Sequence, residues 1–231
     1  VGESRVMKSI LSFALLGSMA TSAWAVVYTD ALGDCNAPMT GYGNPNVDLA
    51  SVEITNTASD ITFKFTTNSP SITSPDWIKV NAIIRVQGDP TTGGNAWNRP
   101  YSLNGGASAF IGGWVDGGGN GQAWKYDGMS WGGPTGPSSM LISGPSVSYT
   151  FSLASLGMSV GDLFFFDATT TGGGGNDSAW DPLNQSTGQI SAPDQQTVLE
   201  PVSTYLVVPE PTTMAALGLG VAAMLRRRKK A

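Results

Sequence analysis

Apolar and polar residues alternate along Ile61-Thr62-Phe63-Lys64-Phe65-Thr66 and along Val147-Ser148-Tyr149-Thr150-Phe151-Ser152-Leu153. A period of two with β-branched and aromatic side chains on one face predicts half-buried strands. A third strand places Val80, Ala82, Ile84 and Val86 on one face and Lys79, Asn81 and Arg85 on the other. Val47 and Leu49 run in one phase and Val52 and Ile54 in the opposite one, which predicts a bulge at Ala50-Ser51. Leu163-Phe164-Phe165-Phe166 is continuously apolar and predicts a central strand buried on both faces. Further strands are expected over 109–115, 122–126, 139–143 and 198–207. Ala154-Ser155-Leu156-Gly157 suits a single helical turn. Gly, Pro and Asn clusters punctuate the segments at short spacing, as at Gly93-Gly94-Asn95 and Gly132-Gly133-Pro134. Many short strands with no helical period between them predict an all-β domain, a β-sandwich of jelly-roll-like type.

The two ends break this pattern. Lys8 precedes an apolar run over 10–20, and Ala23-Trp24-Ala25 has the small-x-small form of a signal-peptidase site. Residues 1–25 therefore read as a signal peptide with Met7 as candidate initiator, and the mature chain is expected to start at Val26. At the other end, residues 214–225 carry no charge and are followed by Arg226-Arg227-Arg228-Lys229-Lys230. Such a run partitions into a bilayer, with its basic flank on the cytoplasmic side. Twelve helical residues reach about 18 Å, against about 30 Å of hydrocarbon. The segment spans only if flanking residues enter the helix and the arginines snorkel, so it predicts a short, temporary transmembrane hold. Pro209 and Pro211 bracket Glu210, remove two backbone donors and hold the segment extended.

Pro-Glu-Pro, a short apolar helix and a terminal basic cluster, in that order over 208–231, resemble the PEP-CTERM sorting signal of Gram-negative bacteria. The resemblance implies recognition at the inner membrane by an exosortase, with Pro209, Glu210, Pro211, Arg226, Arg227 and Arg228 as the sorting residues. It also implies cleavage near 209–211 and delivery of the mature protein to the cell surface or extracellular matrix. The ectodomain is then 26–207.

Charge and composition narrow what that ectodomain does. Between 26 and 208 there are five basic residues and fifteen acidic ones, a net charge of −10 hidden behind the basic tail. Such a surface repels phosphate backbones, so nucleic acid is not an expected partner. The chain has one cysteine and no histidine. Cys35 has no internal disulfide partner and reads as a free or intermolecular thiol, so stability must come from a core. Without histidine there is no Ser-His-Asp or Cys-His machinery and no His-ligated metal.

The ectodomain also resembles bacterial secreted DOMON-like sandwiches, akin in fold to family-nine carbohydrate-binding modules. The likeness rests on the order of Asp34, Asn46 to Ile54, Ile61-Thr62-Phe63, Ile111-Gly112-Gly113-Trp114-Val115-Asp116, Tyr126-Asp127-Gly128 and Asn176-Asp177-Ser178-Ala179-Trp180-Asp181. Haem-binding members of that group use Met and His ligands, and the absence of His here speaks against haem.

Trp97, Trp114, Trp124, Tyr126, Trp131 and Trp180 fall in or beside glycine-rich loops. There an indole can stack on a sugar ring while Asn and Asp take its hydroxyls, and glycine lets the ligand approach. The same rings equally suit plugs at the ends of a sandwich core. Thr91-Thr92-Gly93-Gly94-Asn95-Ala96-Trp97 is echoed at Thr170-Thr171-Gly172-Gly173, with Ala179-Trp180 further on. Asn176, Asp177 and Asp181 are candidate Ca²⁺ ligands, although their spacing is not that of an EF-hand and solvated turns use the same residues. No other cofactor is expected. A glycosidase needs two carboxylates across a cleft, and neither Glu53, within a strand, nor Glu200, before Pro201, sits in such a context; no catalytic residue is assigned. Two readings stand for the ectodomain: a non-catalytic exopolysaccharide-binding module, and a structural or adhesive matrix protein without a small ligand. A glycan-acting enzyme is the less favoured third.

Overall fold

The computed structural model describes residues 24–35, 47–72, 78–90, 92–114, 120–172, 179–184, 197–200 and 202–209. The expected signal peptide up to residue 23 and the tail from Glu210 onward lie outside them. No helix among the described residues is long and apolar enough to cross a membrane.

One sheet has five antiparallel strands in the order β1 (Ala25–Thr29), β2 (Leu49–Asn56), β3 (Asp60–Thr67), β9 (Ser146–Ser152) and β8 (Ser139–Ser143). The second has the order β11 (Asp181–Pro182), β10 (Leu163–Thr171), β4 (Lys79–Val86), β6 (Ala109–Trp114) and β7 (Asn120–Lys125), with β13 (Ser203–Leu206) also paired to β10. A short parallel pair joins β5 (Tyr101–Leu103) to β12 (Thr197–Leu199). The chain is all-β among its described residues, and the two open sheets form a sandwich. Trp24 to Pro209 make one compact unit.

The period-two faces meet where the sequence predicts. Val52, Ile54, Ile61, Phe63, Phe65, Val147, Tyr149 and Phe151 of the first sheet share one buried cluster with Val80, Ala82, Ile84, Ala109, Ile111, Phe164 and Phe166 of the second. Apolar area removed from water at about 25 cal/mol per Å² drives this closure. The expected bulge is present, since the β2–β3 register shifts between Leu49 and Ser51. The expected turn is a 3-10 helix, Leu153–Leu156, whose Ser152 cap accepts the Ser155 N–H and whose Gly157 closes it at φ 71°.

Tyr149 crosses the core toward a paired gap. Gly113 and Gly121 lie opposite each other on β6 and β7. A Cβ on Gly113 would sit 2.1 Å from the Tyr149 ring, and one on Gly121 2.7 Å from it, so both positions are glycine because the ring occupies their side-chain space.

Two expectations need correction. Phe165 is half-buried, not core: it points away from Phe164 and Phe166 and is covered by the Arg85 guanidinium at 4.8 Å. A continuous apolar run cannot by itself tell a two-sided buried strand from one whose outer face is shielded by a long cation. The single strand expected over 198–207 is two, β12 and β13. The sequence between them contains Pro201, which has no N–H for a ladder.

Candidate functional site

The outer faces of the two sheets differ in kind. That of the first is ordinary solvated sheet: Glu53 and Lys64, directly opposed, form an ion pair at 3.1 Å, and Thr62 meets Thr150 and Thr66 meets Ser146 through hydroxyls, each at 2.8 Å.

The outer face of the second sheet carries another apolar cluster, Ile83, Tyr101, Leu103, Ala107, Phe110, Ala179 and Leu199. Trp97, Trp124 and Trp131 pack half-buried against it. Trp97 stands edge-to-face on Phe110 at 5.3 Å and tilts toward Trp114 at 6.4 Å, while Tyr126 stands on Trp131 at 5.4 Å. Five of the six aromatics singled out in the sequence therefore gather on this face. Trp180 is set apart from them: it directly precedes β11, on the far edge of β10, where its backbone N–H donates to the Thr170 carbonyl at 2.7 Å.

Strand register explains how Trp97 is seated. Thr169, Asn81, Gly112 and Gln122 lie side by side across β10, β4, β6 and β7. A Cβ at Gly112 would fall 2.2 Å from the Trp97 ring, so the indole lies across the glycine. Its N–H donates to Gln122 Oε1 at 2.9 Å. The Arg99 guanidinium sits 5.9 Å from the same ring and donates to the Gly172 carbonyl at 3.1 Å.

Beside Trp97 the row is polar and buried. Asn81 has no exposed surface, and neither its amide oxygen nor its amide nitrogen has a hydrogen-bond partner. The Nδ2 of Asn95 and the indole N–H of Trp124 are likewise buried without partners. The Tyr101 hydroxyl faces Asn95, Asn81 and Thr171 without reaching hydrogen-bonding geometry, and burial raises its pKa above the ordinary tyrosine range. Each buried, unpaired polar group costs about 1–3 kcal/mol. Asn81 and Asn95 were not singled out from sequence. The signal was available in β4, where Asn81 stands among Val80, Ala82, Ile83 and Ile84 on a strand that is otherwise nearly all buried.

A second polar cluster sits where the β1–β2 connection meets β11. Carboxylate oxygens of Asp30, Asp34 and Asp181 lie within 4.8 Å of one another. Thus Asp181 belongs to an acidic group, but with Asp30 and Asp34 as companions; Asn176 and Asp177 lie outside the described residues. Cys35 is buried and unpaired, and burial pushes its thiol up to about 12, so it stays protonated. Glu200, the other ectodomain glutamate, accepts from Asn104 Nδ2 at 2.6 Å.

The end of the fold is held closely. Val207 N–H donates to the Asp162 carbonyl at 2.9 Å, and Gly161 N–H to the Val207 carbonyl at 2.7 Å. Asn56 brackets Val208, donating to its carbonyl at 2.8 Å and accepting its N–H at 3.2 Å. Pro209 follows, exposed.

Residues 207–229 match the family profile of the PEP-CTERM protein-sorting motif. The chain carries a PEP-CTERM sorting signal. It is thereby marked for export, for processing by an exosortase and for the cell surface. No curated protein and no solved structure matches the chain, and the DOMON-like resemblance of the ectodomain rests on its sequence order alone. The PEP-CTERM motif begins on the last residues that the sandwich holds, Val207 and Val208. Of its sorting residues Pro209 is described, and Glu210, Pro211, Arg226, Arg227 and Arg228 are not.

Proposed function

We propose that the exported sandwich is a non-catalytic binding module for surface or matrix polysaccharide, and that the outer face of the second sheet is its binding face. The observation that carries this is the set of half-buried rings Trp97, Trp124 and Trp131 on that face, with the buried Asn81 amide unpaired beside Trp97. A sugar ring stacks on the exposed part of an indole. In the same reading the tail holds the protein at the inner membrane until cleavage at 209–211, because its apolar run is short for permanent anchorage. Signal peptidase acts earlier, at the other end.

The second reading, a structural or adhesive matrix protein without a small ligand, is favoured by one specific observation: Trp97, Trp124 and Trp131 cover an apolar cluster. Trp97→Ala and Asn81→Ala separate the two on a glycan array. A binding module loses at least about tenfold in retention with a melting temperature close to that of the parent. Loss of the fold in Trp97→Ala, or an array on which the parent retains nothing, leaves the matrix reading. Release of labelled fragments from a bound polysaccharide would favour an enzyme instead.

A further inference from the structure

The acidic group at the β1–β2 connection is assembled by the fold from segments far apart in the chain. Asp30 directly follows β1, and its N–H donates to the Ala50 carbonyl at 3.0 Å. Asp34 lies four residues on, and Asp181 opens β11, where it pairs with Thr170. Asp48 stands next to them, held by the Gly33 N–H at 3.0 Å and by Asn68 Nδ2 at 2.7 Å. The Thr170 hydroxyl donates to the Val47 carbonyl at 2.6 Å, fastening the same junction.

Two independent observations raise this above an acidic patch. Asp181 is completely buried, and while its Oδ2 accepts the Leu49 N–H, its Oδ1 has no partner. Both oxygens of Asp34 and the Oδ2 of Asp30 are also buried and unpartnered. The charges acting on Asp30 and Asp181 come from other carboxylates. Several acceptors with no donor and no counter-charge mark a place built for a cation.

We propose that Asp30, Asp34 and Asp181 bind a calcium ion that fastens the β1–β2 connection to β11, with Asp48 as the residue that positions the loop around Gly33. The donor set is all hard oxygen. Oxygens on opposite sides of a Ca²⁺ ion at about 2.4 Å stand about 4.8 Å apart, whereas Mg²⁺ at about 2.1 Å requires a tighter cage. Cys35, adjacent to Asp34, does not bring its Sγ into the group. Asp30 and Asp34 are only half-buried, which leaves the ion a way in.

The test uses the full-length chain, stripped with chelator and titrated with CaCl₂ at pH 7, and with MgCl₂ in parallel. Saturating Ca²⁺ is expected to raise the melting temperature by about 5 °C or more, with one ion bound per chain by equilibrium dialysis. Asp34→Asn and Asp30→Asn are expected to weaken Ca²⁺ affinity at least about tenfold while melting no lower than the parent in chelator. Asp34→Asn, at a half-buried position, carries the test if Asp181→Asn fails to fold. No bound Ca²⁺ on the folded parent overturns the proposal, as does an undiminished shift in Asp34→Asn. An equal shift with Mg²⁺ at the same concentration overturns the assignment to calcium.

Discussion

Asp167 shows how one buried side chain sets a pH dependence. Its Oδ1 accepts the Ala168 N–H at 2.7 Å and Asn184 Nδ2 at 3.1 Å, and its Oδ2 has no partner. Burial pushes the carboxyl from 3.8 up to about 7. Between those values the folded chain holds a proton that the unfolded chain has released, so stability falls as pH rises through that window. Asp167→Asn keeps the Oδ1 acceptor and removes the charge. It is expected to raise the melting temperature at pH 8 by at least about 2 °C and to give little gain at pH 4, as scanning calorimetry at the two pH values would read. A variant less stable than the parent at pH 8 would show that the carboxylate is stabilised there by an interaction beyond these partners. None of this was legible in the sequence, where Asp167 is one residue after an aromatic run; its burial comes from pairing between β10 and β4.

At the scale of elements, β13 and the Asn56 side chain define where the folded domain stops. Asn56 is 4% exposed, and besides bracketing Val208 its Oδ1 accepts the Tyr205 hydroxyl at 2.8 Å. Asn56→Ala leaves a buried tyrosine hydroxyl and the Val208 backbone without partners, a loss of about 1–3 kcal/mol. The expected result is a melting temperature lower by several degrees, with the Val208 amide exchanging faster than that of Phe63 in the core. Unchanged exchange at Val208 would mean that β13 alone holds the C-terminal end. The strand period, the bulge at Ala50-Ser51 and the Ser152-capped turn could all be read in the sequence because each is encoded by residues within a few positions. The Phe165 face differs from the expectation because it depends on a neighbour from another part of the chain, Arg85; the split of β12 from β13 has a local mark in Pro201, and the separate partners, β5 for one and β10 for the other, come from the tertiary structure.

For the whole molecule, the overlap of the PEP-CTERM motif with the last residues held by the sandwich, Val207 and Val208, bears on processing. Pro209 follows immediately on Val208, the last residue held by Asn56. In the native host the surface protein is expected to lack the residues beyond 209–211. In a strain without its exosortase, intact-mass measurement should find the tail retained and fractionation should place the protein with the inner membrane. Identical mass and location in both strains would refute cleavage of this tail.

The sequence by itself determined the destination and the class of fold. A Pro-Glu-Pro element, an apolar run and a basic cluster are contiguous, and alternating strands declare their buried face through spacing alone. Which residues meet was decided only by tertiary structure. Asn81 comes beside Trp97 because Gly112 on the neighbouring strand leaves room for the indole. Asp181 reaches Asp30 and Asp34 because β11 pairs with β10 at the junction where Thr170 bonds Val47. Such sites are built from positions some fifteen to 150 residues apart, and their chemistry arises from burial, which strips each polar group of water and leaves the neighbours to supply or withhold a partner.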